Sequence, residues 1–261
     1  MNQVFVVVPT ILQHDMRCRL WNLLEADEQV KTVFVIDNGK NCNLEKPPEN
    51  GWNKNIYQVP DDNLHWAKSC NLGMQHALES DCEFICLLND DVQFQPRFFS
   101  KLVEAYKANP DAGVVVPTYN GVFCQEASNF QHNWHFKPEN KEISVNYTDG
   151  TCMFFNQDLV KEIGFLEDQF KNPNWGVDVD FGYRARKANK KLYVTKRTKL
   201  YHGGRRWSDV SLGGVSAKQV YGSFDEWQQQ GTVQARTDLE SKYGSNWRSL
   251  LGVPSDLFDN Y

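Results

Sequence analysis

Phe84-Ile85-Cys86-Leu87-Leu88-Asn89-Asp90-Asp91-Val92 is the stretch that decides the fold, because five apolar residues run directly into an amide and two acids. A short, continuously apolar run predicts a strand buried on both faces of a sheet. Ligands of open parallel sheets bind beyond the carboxyl ends of the strands, so these polar residues stand where a site would form. Their oxygen atoms suit a divalent cation that bridges phosphates, although an Asx-type turn closing the strand explains the same residues equally well.

Similar β-branched runs alternate with amphipathic stretches through the first 120 of the 261 residues, which is typical of βαβ units on a largely parallel sheet. The predicted strands are 4–8, 33–36, 56–59, 84–88 and 114–116, and the predicted helices are 13–25, 65–80 and 97–108. Residues 119–145 lack a period and predict loops or short antiparallel strands. Further on, the pattern predicts an ordered segment at 150–155, helices at 158–163 and 178–188, a strand at 192–195 and a helical last 45 residues.

The composition places the chain among globular proteins. Hydrophobic residues make up 41% and charged residues 23%, which excludes disordered, collagenous and membrane-spanning classes. The net charge of −5 argues against a protein that wraps nucleic acid with a basic surface. Seven cysteines, none in C-x-x-C spacing, argue against a zinc site or a disulfide framework. Because no signal segment is visible either, we expect a cytoplasmic protein without a transmembrane segment.

Two more strand ends bring polar residues toward the same edge of the predicted sheet. The first strand ends in Pro9-Thr10, and the second ends in Asp37-Asn38-Gly39. An acid at a strand tip commonly accepts hydrogen bonds from a ribose, although a plain turn also explains Asp37-Asn38-Gly39. Neither G-x-G-x-x-G nor a Walker A loop is present, so the sequence supports neither a dinucleotide oxidoreductase nor a P-loop NTPase. Lys68, on the helix predicted at 65–80, is either part of a nucleotide site or a solvated lysine.

In this order, the motifs resemble a family 2 glycosyltransferase with the GT-A fold, within the nucleotide-diphospho-sugar transferase superfamily. The nucleotide-sugar half is similar at Val-Val-Val-Pro-Thr, Val-Ile-Asp-Asn-Gly, Asn-x7-Asn-Leu-Gly and Leu-Leu-Asn-Asp-Asp-Val. The acceptor half is similar at 147–155, 163–170, 175–181 and 184–188, and Tyr201-His202-Gly203-Gly204 with Ser208 is similar to the family's closing His motif. The resemblance implies an α/β fold: a mostly parallel, Rossmann-like sheet flanked by helices, with a small antiparallel region on the acceptor side.

The resemblance covers about residues 4 to 208 and sets the predicted domain boundaries. We place a catalytic domain at 1–210, with a nucleotide-sugar-binding half at 1–118 and an acceptor half at 119–210. A C-terminal helical extension at 211–261 would pack on it.

The resemblance also implies roles for individual donor-site residues. Asp37 would contact the base or the ribose. Asn89-Asp90-Asp91 stands where the family has D-x-D, although Asn89 replaces the first acid, so Asp91 would bind the metal. His202 would be a further metal or diphosphate ligand. The complete predicted set for the nucleotide-sugar is Pro9, Thr10, Asp37, Asn38, Lys68, Asn89, Asp90, Arg205 and Arg206.

Asp178 stands at the Asp of the family's Glu-Asp catalytic pair, which implies that it is the general base, although Val177 replaces the Glu. Asp180 lies about 200° further around a helix and cannot face the same substrate, so we assign it to the helix dipole. One base and one cation on the diphosphate suffice for an inverting transfer, whereas retention would need a second carboxylate near the anomeric carbon. The imidazole of His202 favours Mn²⁺ over Mg²⁺.

The sequence says least about the acceptor. Gly150 and Trp175 are assigned to the acceptor side, where Trp175 offers a flat face to a sugar. Ten basic residues and no acidic residue lie between Phe181 and Arg206, as a polyanionic acceptor would require. A solvated helix face with arginines near the donor diphosphate explains the same residues.

We therefore expect a metal-dependent inverting glycosyltransferase that moves a sugar from a nucleotide-diphosphate donor, with a UDP-sugar favoured, to a hydroxyl of a glycan or glycoconjugate. Nucleic acid is a possible acceptor but not the favoured one, as in a viral-type DNA glycosyltransferase that acts on a hydroxylated base. The alternatives of another class are a nucleotidyltransferase and a non-catalytic protein that binds carbohydrate or nucleotide-sugar.

Overall fold

The structure is a computed structural model that describes residues 3–10, 27–38, 53–58, 64–90, 92–119, 138–202, 211–212, 215–216 and 223–259. The strands in these ranges are β1 (Val4–Thr10), β2 (Val30–Asp37), β3 (Asn53–Gln58), β4 (Phe84–Leu88), β5 (Val92–Phe94), β6 (Ala112–Tyr119), β7 (Glu142–Val145), β8 (Cys152–Asn156), β9 (Lys191–His202), β10 (Ser211–Leu212) and β11 (Val215–Ser216). Within the described chain, nine strands form one mixed sheet in the order β3-β2-β1-β4-β8-β6-β9-β5, with β7 paired to β9. The strands β10 and β11 form a separate hairpin.

The amino-terminal half of the large sheet is parallel. β1 pairs in parallel with β2 and β4, and β2 pairs in parallel with β3. Every residue of β1 and β4 is buried, which explains why both strands have unbroken apolar sequences. The register pairs Thr10 with Asp37, so the carboxyl ends of β1 and β2 meet at one edge.

The second half of the sheet contains the antiparallel pairs. β8 lies between β4 and β6 and runs antiparallel to both. β9 runs parallel to β6 and antiparallel to β5 and β7. Because Val92 of β5 pairs with His202, the end of β9 lies beside the residues that follow β4. This pairing brings a distant part of the chain to the edge where the site is expected.

The helices in the described ranges are α1 (His65–Leu78), α2 (Phe98–Ala108), α3 (Gln157–Ile163), α4 (Val177–Lys187), α5 (Phe224–Tyr243) and α6 (Trp247–Leu251). Two of them begin at side-chain caps. Asn156 accepts a hydrogen bond from the Asp158 amide at the start of α3, and Ser223 forms a capping box with Glu226 at the start of α5. α4 instead begins after Gly176, whose φ of 91° is the left-handed conformation that glycine adopts without strain.

Aromatic side chains fill the core between the sheet and the helices. Phe84 of β4 stacks on Phe154 of β8 with ring centroids 5.0 Å apart, and Phe155 packs against Phe181 of α4 at 5.3 Å. All four rings are essentially inaccessible to solvent. Full burial of side chains of this size contributes about 1.5–3 kcal/mol each, so this layer fixes α4 to the sheet.

The structure confirms the predicted α/β fold. The observed strands overlap all five strands predicted in the first 120 residues. The observed helices overlap the helices predicted at 65–80, 97–108, 158–163 and 178–188. The predicted helix at 13–25 lies outside the described residues. The strand predicted at 192–195 is much longer, because β9 pairs first with β6 and β7 and then with β5. The proposed boundaries at residues 118 and 210 stay predictions.

Candidate active site

The ends of β1 and β2 form one wall of the site edge. Pro9, Thr10 and Asp37 are buried there. The amide of Asn38 donates to the carbonyl of Thr10 at 2.8 Å, while its side chain turns toward α1. Nδ2 of Asn38 donates to Oγ of Ser69 at 2.9 Å, and Oδ1 accepts from the amide of Leu64 at 3.2 Å. Asn38 therefore joins the end of β2 to the start of α1.

A chain of hydrogen bonds joins α1, β4, β8 and β9 at the carboxyl end of β4. The indole Nε1 of Trp66 donates to Oδ1 of Asn89 at 2.9 Å. Nδ2 of Asn89 lies 3.3 Å from Nε2 of His202, and Nδ1 of His202 lies 3.4 Å from Oγ1 of Thr151. The backbone amide of Asn89 donates to the carbonyl of Thr151 at 2.9 Å. Residues far apart in sequence are thus held in one cluster.

These partners determine the tautomer of His202 in this arrangement. An indole N–H only donates, so the atom of Asn89 that faces Trp66 is the carbonyl oxygen, and its NH₂ group faces His202. Nε2 of His202 then accepts, and Nδ1 carries the proton that Oγ1 of Thr151 accepts. These two contacts favour the tautomer of His202 with its proton on Nδ1.

Trp66 and Asp178 both lie next to Gly150. Gly150 packs between them, because a β-carbon built on Gly150 would lie 3.1 Å from Cη2 of Trp66 and 3.6 Å from Cβ of Asp178. The indole nitrogen thus contacts Asn89, and the benzo edge lies against Gly150 next to Asp178. Gly150 and Trp66 therefore connect the neighbourhood of the predicted base to the end of β4.

The surroundings of Asp178 favour its protonated form. Burial, and after it the nearby carboxylate of Asp149, raises the pKa of Asp178 to about 7. Hydrogen bonds from the amides of Val179, at 2.9 Å, and Gly150 partly oppose this rise in pKa. Asp149 is held in place by the amide of Thr151, which donates to its Oδ1 at 2.7 Å. A carboxylate with a pKa near 7 is well matched to accept a proton at neutral pH.

The second acid of α4 has a different environment. Asp180 is fully buried, accepts a 2.8 Å hydrogen bond from Nε of Arg184 and pairs with Lys242 at 2.6 Å. The hydroxyl of Tyr243 also donates to it. The two acids are separated as their spacing predicts, but Asp180 joins α4 to α5 through ion pairs, which the sequence did not indicate.

The predicted metal ligands are Asp91 and His202. Asp91 lies outside the described residues, but Val92, the residue after it, pairs with His202. Asp90 is half-buried at the same strand end. In the described part of the chain, no group of three or more His, Cys, Asp or Glu side chains could hold a metal ion. Asp90 and His202 are donors of the type that a divalent cation takes, so a complete ligand set needs Asp91.

The remaining predicted site residues are less closely grouped. Lys68 is exposed on α1, where burial and then the charge of Lys68 lower the pKa of His65. Trp175 packs edge-on against Trp227 of α5, with ring centroids 5.1 Å apart. Arg205 and Arg206 lie outside the described residues.

Several members of the basic stretch between Phe181 and Arg206 make contacts within the protein. Arg184 donates to the carbonyls of Ile163 and Phe165, and Arg186 donates to that of Leu251. Lys191 pairs with Asp111, Arg197 pairs with Glu142, and Lys199 is buried beside Tyr201. These contacts support the interpretation that much of the stretch serves the fold.

Three side chains of this cluster are not among the predicted site residues: Trp66, Asp149 and Thr151. Asp149 carries a usable signal, since an acid and a glycine directly precede the apolar run of β8, as polar residues directly follow that of β4. Trp66 is one of several tryptophans that could offer a flat face to a sugar or a base, but its contact with Asn89 carries no local signal because it depends on how α1 packs on the sheet.

Comparisons with known proteins agree with this architecture. The model of the family described as "Glycosyl transferase family 2" matches residues 5–164. The uncharacterized proteins Mb1552 of Mycobacterium bovis and Rv1525 of Mycobacterium tuberculosis are each 24% identical over 213 residues, which is 81% of this chain and 78% of theirs.

The fold is similar to that of S. aureus TarS. Residues 1–349 of TarS align with a TM-score of 0.57 and 16% identity, covering 95% of this chain and 69% of that one. The same fragment in complex with UDP aligns with a TM-score of 0.55, 17% identity and the same coverage. At this identity the likeness concerns the fold alone. Among the described helices, none is long and apolar enough to cross a membrane.

Proposed function

This chain belongs to glycosyltransferase family 2, and from that premise we propose that it moves a sugar from a nucleotide-diphosphate donor to a hydroxyl group, with Asp178 as general base. The observation that carries the proposal is that Gly150 lies next to both Asp178 and Trp66, and that Trp66 binds Asn89 at the end of β4. These contacts link the proposed donor site at the end of β4 to the proposed base at the start of α4.

The donor would lie along the edge formed by β1, β2 and β4. Thr10 and Asp37, which are paired in register, would contact the base and ribose, and Asp90 lies at the end of β4. The TarS fragment of similar fold was crystallised in complex with UDP, so we favour a UDP-sugar.

Asp178 would act on the acceptor hydroxyl. Its ionised form accepts the proton as the oxygen attacks the anomeric carbon, and the Gly150 and Val179 amides that favour the carboxylate keep enough of it ionised near pH 7. Attack from the side opposite the diphosphate inverts the anomeric carbon. Asp149 lies near Asp178, but its Oδ1 is held by the amide of Thr151, which favours an electrostatic role for it over that of a nucleophile.

A divalent cation, Mn²⁺ in preference to Mg²⁺, would be held by Asp91 and His202 beside Asp90, with Nε2 of His202 exchanging its contact with Nδ2 of Asn89 for the cation. Bound there, it would stabilise the negative charge on the departing diphosphate. The pairing of Val92, the residue after Asp91 in the sequence, with His202 supports this assignment.

We propose a glycan or glycoconjugate as the acceptor. A DNA acceptor finds little support, because Arg184, Arg186, Lys191 and Arg197 contact the protein itself.

We also propose that the protein resides in the cytoplasm. The described cysteines Cys70, Cys82, Cys86 and Cys152 are buried free thiols, and the sulfurs of Cys86 and Cys152 lie 3.7 Å apart without a bond.

The test is release of nucleoside diphosphate from a panel of UDP-, GDP- and dTDP-sugars in the presence of Mn²⁺, with water as the acceptor. We expect slow hydrolysis of one donor, and expect EDTA, Asp91→Asn and Asp178→Asn each to reduce it at least tenfold. Replacing Asp168, a half-buried acid that lies outside the cluster and accepts from Gln169, by Asn is the matched control and should leave the rate unchanged. If no donor is hydrolysed and none raises the melting temperature, the proposal is wrong and a binding protein becomes the better explanation.

A further inference from the structure

Helix α5 contacts the segment immediately before Asp178. The ring of Trp175 meets that of Trp227 edge-on, with centroids 5.1 Å apart and an interplanar angle of 86°. Gly231, one turn further along α5, lies so close to Trp175 that a β-carbon there would be 2.9 Å from the indole ring. A β-carbon on Gly176 would likewise lie 3.1 Å from Leu239 of α5. The two residues at the entrance to α4 are therefore packed directly on α5.

The same helix also contacts the residues after Asp178. Lys242 and Tyr243, at the end of α5, both bind Oδ1 of the buried Asp180. Lys242 reaches Glu167 as well, at 2.7 Å, and Asp238 accepts a 2.8 Å hydrogen bond from the amide of Lys171. Asp178 thus lies between two anchored points, Gly176 and Asp180, and both anchors are on α5.

From these contacts, we propose that α5 is a positioning element of the active site, which sets where Asp178 stands through Gly231 and Trp227 on one side and Tyr243 on the other. The inference rests on the proposed function of Asp178. It goes beyond the family assignment, since the family match ends at residue 164 and includes neither α4 nor α5.

Close packing makes this arrangement sensitive to small changes. A protein interior transmits a local displacement instead of absorbing it, because few voids are available. A misplacement of about 1 Å in a reacting group lowers the rate about a hundredfold. A shift of several tenths of an ångström at Trp175, passed on to Asp178, would therefore lower the rate measurably.

Gly231→Ala separates positioning from simple helix stability. Alanine favours a helix interior over glycine by about 1 kcal/mol, which partly offsets the strain of its methyl group against Trp175, so a purely structural α5 would change in stability but not in kcat. If α5 positions Asp178, the added methyl group pushes the Trp175 ring, and kcat for donor hydrolysis falls about tenfold while KM for the donor stays the same. Val233→Ala, at a position that is 46% exposed on the same helix, is the matched control and should change neither.

A second pair of variants probes the other contact. Trp227→Ala should reduce kcat and Trp227→Phe should restore most of it, because phenylalanine keeps an edge-on ring. Hydrogen exchange provides a readout that needs no activity. We expect faster amide exchange in residues 174–182 of Trp227→Ala and Gly231→Ala, with unchanged exchange in β1 and β4.

The outcomes separate this inference from the function on which it rests. Unchanged kcat and unchanged exchange at 174–182 in both variants would overturn the positioning role. Faster exchange throughout the protein would also overturn it, because α5 would then act on global stability alone. If the unsubstituted protein hydrolyses no donor and binds no UDP by calorimetry, the proposed function fails, and the positioning of an active site fails with it. Local exchange at 174–182 would then report a packing contact only.

Discussion

The indole Nε1 of Trp66 donates a 2.9 Å hydrogen bond to Oδ1 of Asn89, and this contact orients the amide that faces His202. Trp66→Phe removes the donor but keeps an aromatic ring against Gly150. Loss of one hydrogen bond of this type costs about 0.5–1.5 kcal/mol, so we expect donor hydrolysis to slow by up to about tenfold. The rate of nucleoside diphosphate release measures the effect.

The tautomer of His202 provides an independent check of the same contact. Nitrogen-15 NMR should show the proton on Nδ1 in the unsubstituted protein and a mixture of tautomers in Trp66→Phe, since Asn89 is then free to rotate its amide. A proton on Nε2 in the unsubstituted protein would contradict the network. Trp227→Phe, a matched Trp-to-Phe change on α5, should leave the tautomer unchanged.

Asp178→Asn should abolish transfer yet stabilise the protein at alkaline pH. Because the folded-state pKa of Asp178 is about 7, above its ordinary value of 3.8, the folded state holds a proton that the unfolded state has lost between those two pH values. The stability of the unsubstituted protein therefore falls as pH rises through this window. We expect Asp178→Asn to gain about 1–2 kcal/mol at pH 8, after allowance for its partial exposure, and almost nothing at pH 4. Urea unfolding at both pH values measures the difference, and an equal gain at both would contradict the assigned pKa.

Asp149→Asn should move the acidic limb of the pH–rate profile. The Asp149 carboxylate raises the pKa of Asp178, so its removal lowers that pKa, and the base becomes ionised at a lower pH. On the acidic side, the rate of Asp149→Asn should therefore begin to fall at a lower pH than that of the unsubstituted protein. Asn keeps an oxygen that can accept from the Thr151 amide, so the loop should stay in place. Asp158→Asn, an exposed acid at the start of α3, is the control, and a profile that moves to higher pH in Asp149→Asn would refute the coupling.

Most of the sheet could be predicted because its strands are buried on both faces. β1 and β4 have no solvent-facing side, so their apolar runs stand out against the amphipathic helices. β5 is three residues long and pairs with a strand more than 100 residues away, so no local pattern indicates it. The end of β9 escaped prediction for the same reason.

The acids of the site could be predicted from their positions at strand ends and at the start of a helix, but their couplings could not. The spacing of Asp178 and Asp180 indicates that they face apart. Nothing in the spacing shows that Asp180 meets Lys242 and Tyr243, because that contact requires α5 to return across α4. In the same way, Trp66 reaches Asn89 only through the packing of α1 on the sheet.

Gly150→Ala tests whether Trp66 and Asp178 share one packing constraint. The new methyl group would lie 3.1 Å from the Trp66 ring, so the ring must shift by several tenths of an ångström and strain its hydrogen bond to Asn89. Overpacking of this kind costs about 1–3 kcal/mol of stability, and donor hydrolysis should slow as it does in Trp66→Phe. In Trp66→Phe the smaller ring leaves room for the methyl group, so the double variant should be less impaired than the two single effects combined. The rates of the unsubstituted protein, the two single variants and the double variant give the coupling energy between the two positions. If the free-energy effects of the single variants simply add in the double variant, Gly150 acts independently of Trp66.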